Sequence, residues 1–213
     1  MTDLILLRHG ETVGQSSIRL YGATDIALSP VGEQQVLRAA AALKHHRFAR
    51  VLSSPLQRAR RSAEIVLAAL DHSLQPAPTL ELVPGFKEID FGAWEGWTYA
   101  EAETRDPAGF ARWQAEGHAF TYPGGESRTA FLARIAAAAA SALDPARGPT
   151  LAVLHKGVIK AALIALTDRP PAALAELPVA LASLHRLRWT GARWDLLTTA
   201  GETAHLGDLD LGG

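Results

Sequence analysis

Three short aliphatic runs in this chain each end in polar residues and lead into a stretch with helical periodicity, and this recurrence restricts the fold more than any other feature. The first, Leu4 to Leu7, runs into Arg8, His9 and Gly10. An unbroken apolar run of that length reads as a strand covered on both faces. In "LSPVGEQQVLRAAAALKHH", Ser29 offers an N-cap, Pro30 suits the first helical position, and apolar residues recur at helical spacing to Leu43. The second unit pairs "RVLSS" with "SPLQRARRSAEIVLAAL", where Ser54 reads as the cap and Ile65, Val66 and Leu70 form the apolar stripe. The third pairs Leu151 to Leu154 with a helix from Val158 onward, entered through Gly157. "LHRLRWT" and "RWDLLTTA" alternate around Gly191 and predict a closing hairpin.

Repeated β-α units predict an α/β fold, a three-layer α/β/α arrangement with a mostly parallel central sheet. The stretch from Leu82 to Gly125, rich in aromatic, glycine and acidic residues, reads as short helices and loops that form a small cap over the C-terminal ends of the strands. "FLARIAAAAASALD" favours a packed scaffold helix. No repeat of solenoid length appears. The expectation is one domain over residues 1–213, with 82–125 as a cap-like insertion.

Charge excludes some partners. A formal net charge of -1 provides no global field to draw nucleic acid or an anionic membrane, so an anion has to be held by local cations. No cysteine is present, which removes thiolate zinc sites, cysteine nucleophiles and disulfide scaffolds. The N-terminus lacks the basic start and apolar length of a signal peptide, and charges interrupt every apolar window before it reaches a bilayer span. A cytoplasmic location is expected.

In an open parallel sheet, ligands bind beyond the carboxyl ends of the strands. This rule gathers Arg8 and His9 from the first strand, Ser53 and Ser54 from the second, Arg58 one helical turn later, and His155 from the third. Two imidazoles and two guanidiniums near helix N-termini suit a phosphoryl group. They suit a dication less, since arginines repel it and no metal-ligand motif such as "HExxH" occurs.

Taken in order, "LRHGET", "YGATDIALSPVGEQQ", "SSPLQRARRSAEI", "KEIDFGAWEG", "YPGGES" and "LHKGVIK" resemble the successive signatures of the histidine phosphatase superfamily, the phosphoglycerate-mutase-like group. The resemblance runs from Leu4 to about Ala162. It implies that His9 is the nucleophile that forms a phosphohistidine, that Arg8, Arg58 and His155 clamp the non-bridging oxygens, and that Glu88 donates the leaving-group proton and then activates water. No metal or other cofactor is implied. The cap tryptophans Trp94, Trp97 and Trp113 read mainly as core, with room for one to line a pocket.

Two positions depart from the family pattern. Many relatives place Trp-Asn after "RHGET", whereas here Gly14 and Gln15 follow, which leaves that phosphate contact open to the Gln15 amide or to Ser16 or Ser17 in its place. The second histidine is followed by Lys156 instead of a small residue. Its ammonium either points away as a solvated helix-start residue or binds a second anionic group on the substrate. With Tyr21 and Gly22, and with Arg19 nearby, Gln15, Ser16 and Lys156 complete the expected substrate-binding set.

The expected activity is a metal-independent phosphatase acting on a small phosphorylated metabolite. Sugar phosphates, α-ribazole phosphate, phosphoglycolate and phosphoserine all remain open as substrates. The alternatives are a phosphoglycerate mutase, whose members carry a longer basic insertion than the compact, acidic "FGAWEGWTYAEAETRDPAGF", and a module that binds phosphoesters without turnover. Oligomeric state is open, a homodimer included.

Overall fold

A computed structural model describes residues 2–73, 76–198 and 200–209, and for His118 and Ala175 the backbone only. β1 (Asp3–Arg8) is followed by α1 (Pro30–Leu43), β2 (Arg50–Ser53), α2 (Gln57–Ala69) and β3 (Leu80–Leu82). α3 (Tyr99–Arg105), α4 (Pro107–Glu116) and α5 (Arg128–Ala142) come next, then β4 (Thr150–Leu154), α6 (Lys156–Leu166), α7 (Pro171–Ala175), β5 (Leu184–Trp189) and β6 (Trp194–Leu196). The six strands form one sheet in the order β3-β2-β4-β1-β5-β6. The first four strands in that order run parallel, while β5 and β6 are antiparallel to their neighbours, as the hairpin reading predicts.

The unbroken apolar runs are explained by the two layers that cover them. Side chains alternate across a strand. Leu4, Leu6, Leu52, Ala152 and Leu154 join the core that holds Ile135 of α5 and Val158 and Ile159 of α6. Ile5, Leu7, Val51, Leu151 and Val153 join the opposite core with Val36 of α1 and Val66 of α2. Between their ends the central strands are buried on both faces, so Leu4 to Leu7, Val51 to Leu52 and Leu151 to Leu154 are apolar throughout.

Helix starts agree with expectation in one case and differ in two. Ser29 caps α1, its Oγ accepting from the Gly32 N–H at 3.0 Å. Ser54 does not cap α2. That helix starts at Gln57 after Leu56, and the Ser54 Oγ accepts instead from the Leu56 N–H at 3.3 Å inside the preceding turn. α6 starts at Lys156, with His155 at the cap position and no side-chain cap bond, two residues before the expected Val158. β3 was not anticipated; it is a three-residue edge strand in which Glu81 accepts a two-pronged ion pair from Arg50.

The register brings three strand ends level. Arg8 pairs with Leu154 and Ser53 with Val153, so His9, His155 and Ser54 follow at one edge of the sheet. The 82–125 stretch contributes α3 and α4 beside this edge. Thr98 and Glu101 form a capping box on α3, and Asp106, at the junction, accepts from the Gly109 N–H of α4 and from Trp94 Nε1.

Candidate active site

The strand ends open into a cavity of about 360 Å³. Arg8, His9, Glu88 and Gly157 line its floor, Ser16 to Tyr21 one wall, and Tyr99 and Trp113 of the 82–125 stretch another. Among the sequence candidates, Arg8, His9, Glu88, Ser16, Tyr21 and Lys156 therefore line one space. His155 lies directly behind, its ring centroid 5.1 Å from that of His9.

The hydrogen bonds of the two imidazoles assign their protons. His9 Nδ1 is 2.7 Å from the Gly10 carbonyl oxygen, which can only accept, so the proton is on Nδ1 and Nε2 carries a lone pair. His155 Nδ1 lies 3.3 Å from the Arg58 Nε–H and accepts from it, so in the neutral ring the proton is on Nε2. That Nε2 is buried without a hydrogen-bond partner among the described residues, as is Nε of Arg8. Both rings are held neutral, with proton affinities well below the ordinary histidine value. Burial is the main cause for both, and the Arg58 charge comes next.

Arg8 is held from behind. Its Nη1–H donates to the Val179 carbonyl at 2.7 Å and its Nη2–H to that of Ser16 at 3.4 Å, while burial lowers its pKa to about 10, so it stays charged at neutral pH. Glu88 is buried too. Its carboxylate accepts from the Ile89 and Gly157 N–H groups, both at 2.9 Å, which favours ionisation, but burial outweighs this and raises its pKa. The helix-start N–H of Gly157 is thus used by Glu88. Gly157 leaves room for this contact, since a Cβ there would stand 2.5 Å from Glu88 Oε1.

Three expected positions differ. Arg58 does not line the cavity. It is fully buried, and besides the Nε bond to His155 its Nη1 and Nη2 groups donate to the carbonyls of Thr24, Tyr21 and Gly22 at 2.8 to 3.0 Å, which turns its donors toward the 21–24 backbone. Gln15 is exposed and outside the cavity, because the turn after Gly14 puts it in the left-handed region at φ 63°. Gly22 is also outside the lining; its N–H donates to the Glu95 carboxylate, which accepts from Ala23, Thr24 and Phe91 as well. A Cβ on Gly22 would stand 1.7 Å from the Ile89 carbonyl oxygen, so this glycine serves close packing.

Other candidates take structural places. Ser53 Oγ donates to the Ser54 carbonyl, Glu126 pairs with Arg134, and Ser127 caps α5. Trp94 is core, whereas Trp113 lines the cavity. Sequence reasoning missed Lys160 and Arg128, both cavity-lining, and Glu11, whose carboxylate ties the 12–17 loop through the Thr12 and Ser17 N–H groups and the Ser16 hydroxyl. Lys160 was discoverable as the residue one helical turn after Lys156.

A mostly parallel sheet with two histidines and an arginine at its carboxyl edge defines an α/β protein with a cationic, histidine-bearing cleft at the strand ends. The chain belongs to the histidine phosphatase superfamily (branch 1), whose family model matches residues 4–200. Over 185 residues it is 40% identical to a bifunctional protein of Mycobacterium tuberculosis, a match covering 86% of this chain and 49% of that protein. The chain therefore spans about half the length of these curated relatives. It is 28% identical to the probable phosphoglycerate mutase GpmB of Salmonella choleraesuis, over 97% of this chain and 95% of that one. Among solved structures, the alpha-ribazole phosphatase of Shigella flexneri superposes with a TM-score of 0.81 at 23% identity, covering 93% of this chain and 97% of the other. The phosphoserine phosphatase of Entamoeba histolytica, solved with 3-phosphoglyceric acid, gives 0.77 at 26% identity, covering 97% and 100%. No helix among the described residues is long and apolar enough to cross a membrane.

Proposed function

We propose that this chain is a phosphatase that hydrolyses a small phosphomonoester through a phosphohistidine on His9, without a metal, with residues 82–125 acting as its cap. The observation that carries the reading is the pair of proton assignments. His9 Nε2 has its lone pair available, while the Nε2–H of His155 and the Nε–H of Arg8 are buried donors that no group among the described residues uses.

In the first step the His9 Nε2 lone pair forms the N–P bond as the ester P–O bond breaks. The electron pair leaves with the alcohol oxygen, which takes a proton from Glu88. Arg8 and His155 donate to the non-bridging oxygens, where a fixed charge and a fixed N–H in a dry site stabilise the transition state without reorganisation. In the second step Glu88, now a carboxylate, takes a proton from water as its oxygen attacks phosphorus, and the breaking N–P bond returns the pair to Nε2. Arg58 acts as a positioning residue, holding His155 in the donating tautomer and the 21–24 loop in place.

The phosphatase relatives support this reading, as does the acidic stretch of Glu101, Glu103 and Asp106 in the cap. The likeness to GpmB favours a second reading, transfer between hydroxyls of one glycerate. Rapid quenching with a ³²P-labelled phenyl phosphate is expected to leave label on the chain that survives alkali and is lost in acid. The label should be absent in His9→Ala, and turnover should persist with a chelator. Full activity in His9→Ala would reject the nucleophile, and isomer exchange of phosphoglycerates with little hydrolysis would select the second reading.

A further inference from the structure

The cavity extends beyond its reacting floor. One face of α6 lines it through Lys156, Gly157, Lys160, Ala161 and Ile164. At about 1.5 Å rise per residue, the two lysines lie about 6 Å apart along this wall, with Ile164 about 6 Å further on. Lys156 is exposed at the mouth and Lys160 half-buried. Arg128, at the start of α5, adds a third cation whose charge reaches Tyr99 and Tyr122. Beyond the lysines the lining turns apolar, with Phe131, Leu132, Ile164 and Leu174.

This arrangement works against the helix. Like charges one turn apart repel, and cations in a first helical turn oppose the macrodipole. The Lys156 ammonium is further disfavoured by burial, by Arg8 and by Lys160. Glu176 stands near Lys160, and Glu88 acts on Lys156 from the site floor, but no ion pair among the described residues includes Lys156 or Arg128. An anion between these side chains would relieve the repulsion and gain from the partly desolvated setting.

We propose that Lys156 and Lys160 hold a second anionic group of the substrate, so that the preferred class is a phosphomonoester with a carboxylate or second phosphate near the ester, in place of a neutral alcohol or sugar. The proposal rests on the phosphatase reading for its catalytic context. It assigns specificity to two residues that touch the part of the substrate that does not react, and it resolves the alternative posed for Lys156, whose side chain lines the cavity.

The test compares phenyl phosphate with 3-carboxyphenyl phosphate and with benzene-1,3-diyl bisphosphate, using the full chain. The wild type is expected to favour the two doubly anionic esters at least tenfold in kcat/KM. That preference should shrink with added salt, fall to about onefold in Lys156→Met/Lys160→Met and reverse in Lys156→Glu. The two probe esters separate a carboxylate site from a phosphate site. An equal preference in wild type and the double variant, or none in the wild type, overturns the inference. If the wild type hydrolyses none of the three, the phosphatase reading fails. Calorimetric titration with benzylphosphonate and 3-carboxybenzylphosphonate then decides the subsite alone: a preference for the carboxylated probe that is lost in the double variant upholds it, and equal affinities overturn it.

Discussion

At the scale of single residues, the site is governed by which groups burial keeps neutral. Desolvation raises the pKa of Glu88 despite two N–H donors and two nearby arginines, and it lowers those of His9 and His155. The same cause favours the neutral form of both, a protonated carboxyl and an unprotonated imidazole, as the proposed mechanism requires, because burial penalises whichever form carries charge. If Glu88 is the proton donor, Glu88→Gln should lose about 10²–10⁴-fold in turnover of an alkyl phosphate. An ester of an acidic phenol, which departs without a proton, should lose less than tenfold. Equal losses on both esters would remove Glu88 from that role. Arg8 and His9 were legible because they end a buried strand. Arg58 was located in sequence but its target was not, since its partners lie 34 to 37 and 97 residues away.

At the scale of elements, the beginning of α6 couples the scaffold to the chemistry. β4 ends at Leu154, His155 takes the cap position, and Gly157 meets the Glu88 carboxylate. Gly157→Ala should push Glu88 aside, because its Oε1 is the nearest atom to the new Cβ and a side-chain end moves more readily than backbone. The expected outcome is a fall in kcat with a melting temperature within a few degrees of wild type, checked by initial rates beside thermal unfolding. Unchanged kcat would show that Glu88 does not need its present position. Helix α1 was legible to its cap because Ser-Pro acts locally. The same dipeptide misled at α2, where the first residues after β2 form a turn tied by Ser53 and Ser54, and helical bonding begins only at Gln57. β3 escaped notice because three edge residues, one of them an ion-paired glutamate, leave no apolar run.

For the whole molecule, buried imidazoles set the acid limb of stability. His9, His155 and His185 all have folded pKa values below the ordinary 6.5, that of His185 pushed down by burial to about 4. Below pH 6.5 the unfolded chain binds protons that the folded chain refuses, so stability is lost as pH falls. The half-buried His46, also lowered, adds to this, while Glu88, with a raised pKa, works in the opposite direction. The perturbed surface carboxylates, such as Glu81 and Asp106, are lowered and titrate below this window. His185 alone should cost roughly 2 kcal/mol by pH 5. Urea unfolding midpoints should therefore drop between pH 7 and pH 5, and a flat profile would show that these rings charge within the folded state.

The three β-α units, the doubly covered sheet, the closing hairpin and the residues at the ends of β1, β2 and β4 were all determined by the sequence itself. Each depends on side-chain patterns within a few neighbouring positions. Only the tertiary structure decided that Arg58 faces His155 and the 21–24 carbonyls, that Gln15 turns outward, and that Lys156 and Lys160 border the same cavity as His9. Such meetings depend on where distant segments cross, and the free energy that selects them comes from burial and hydrogen bonds between residues that local periodicity does not connect.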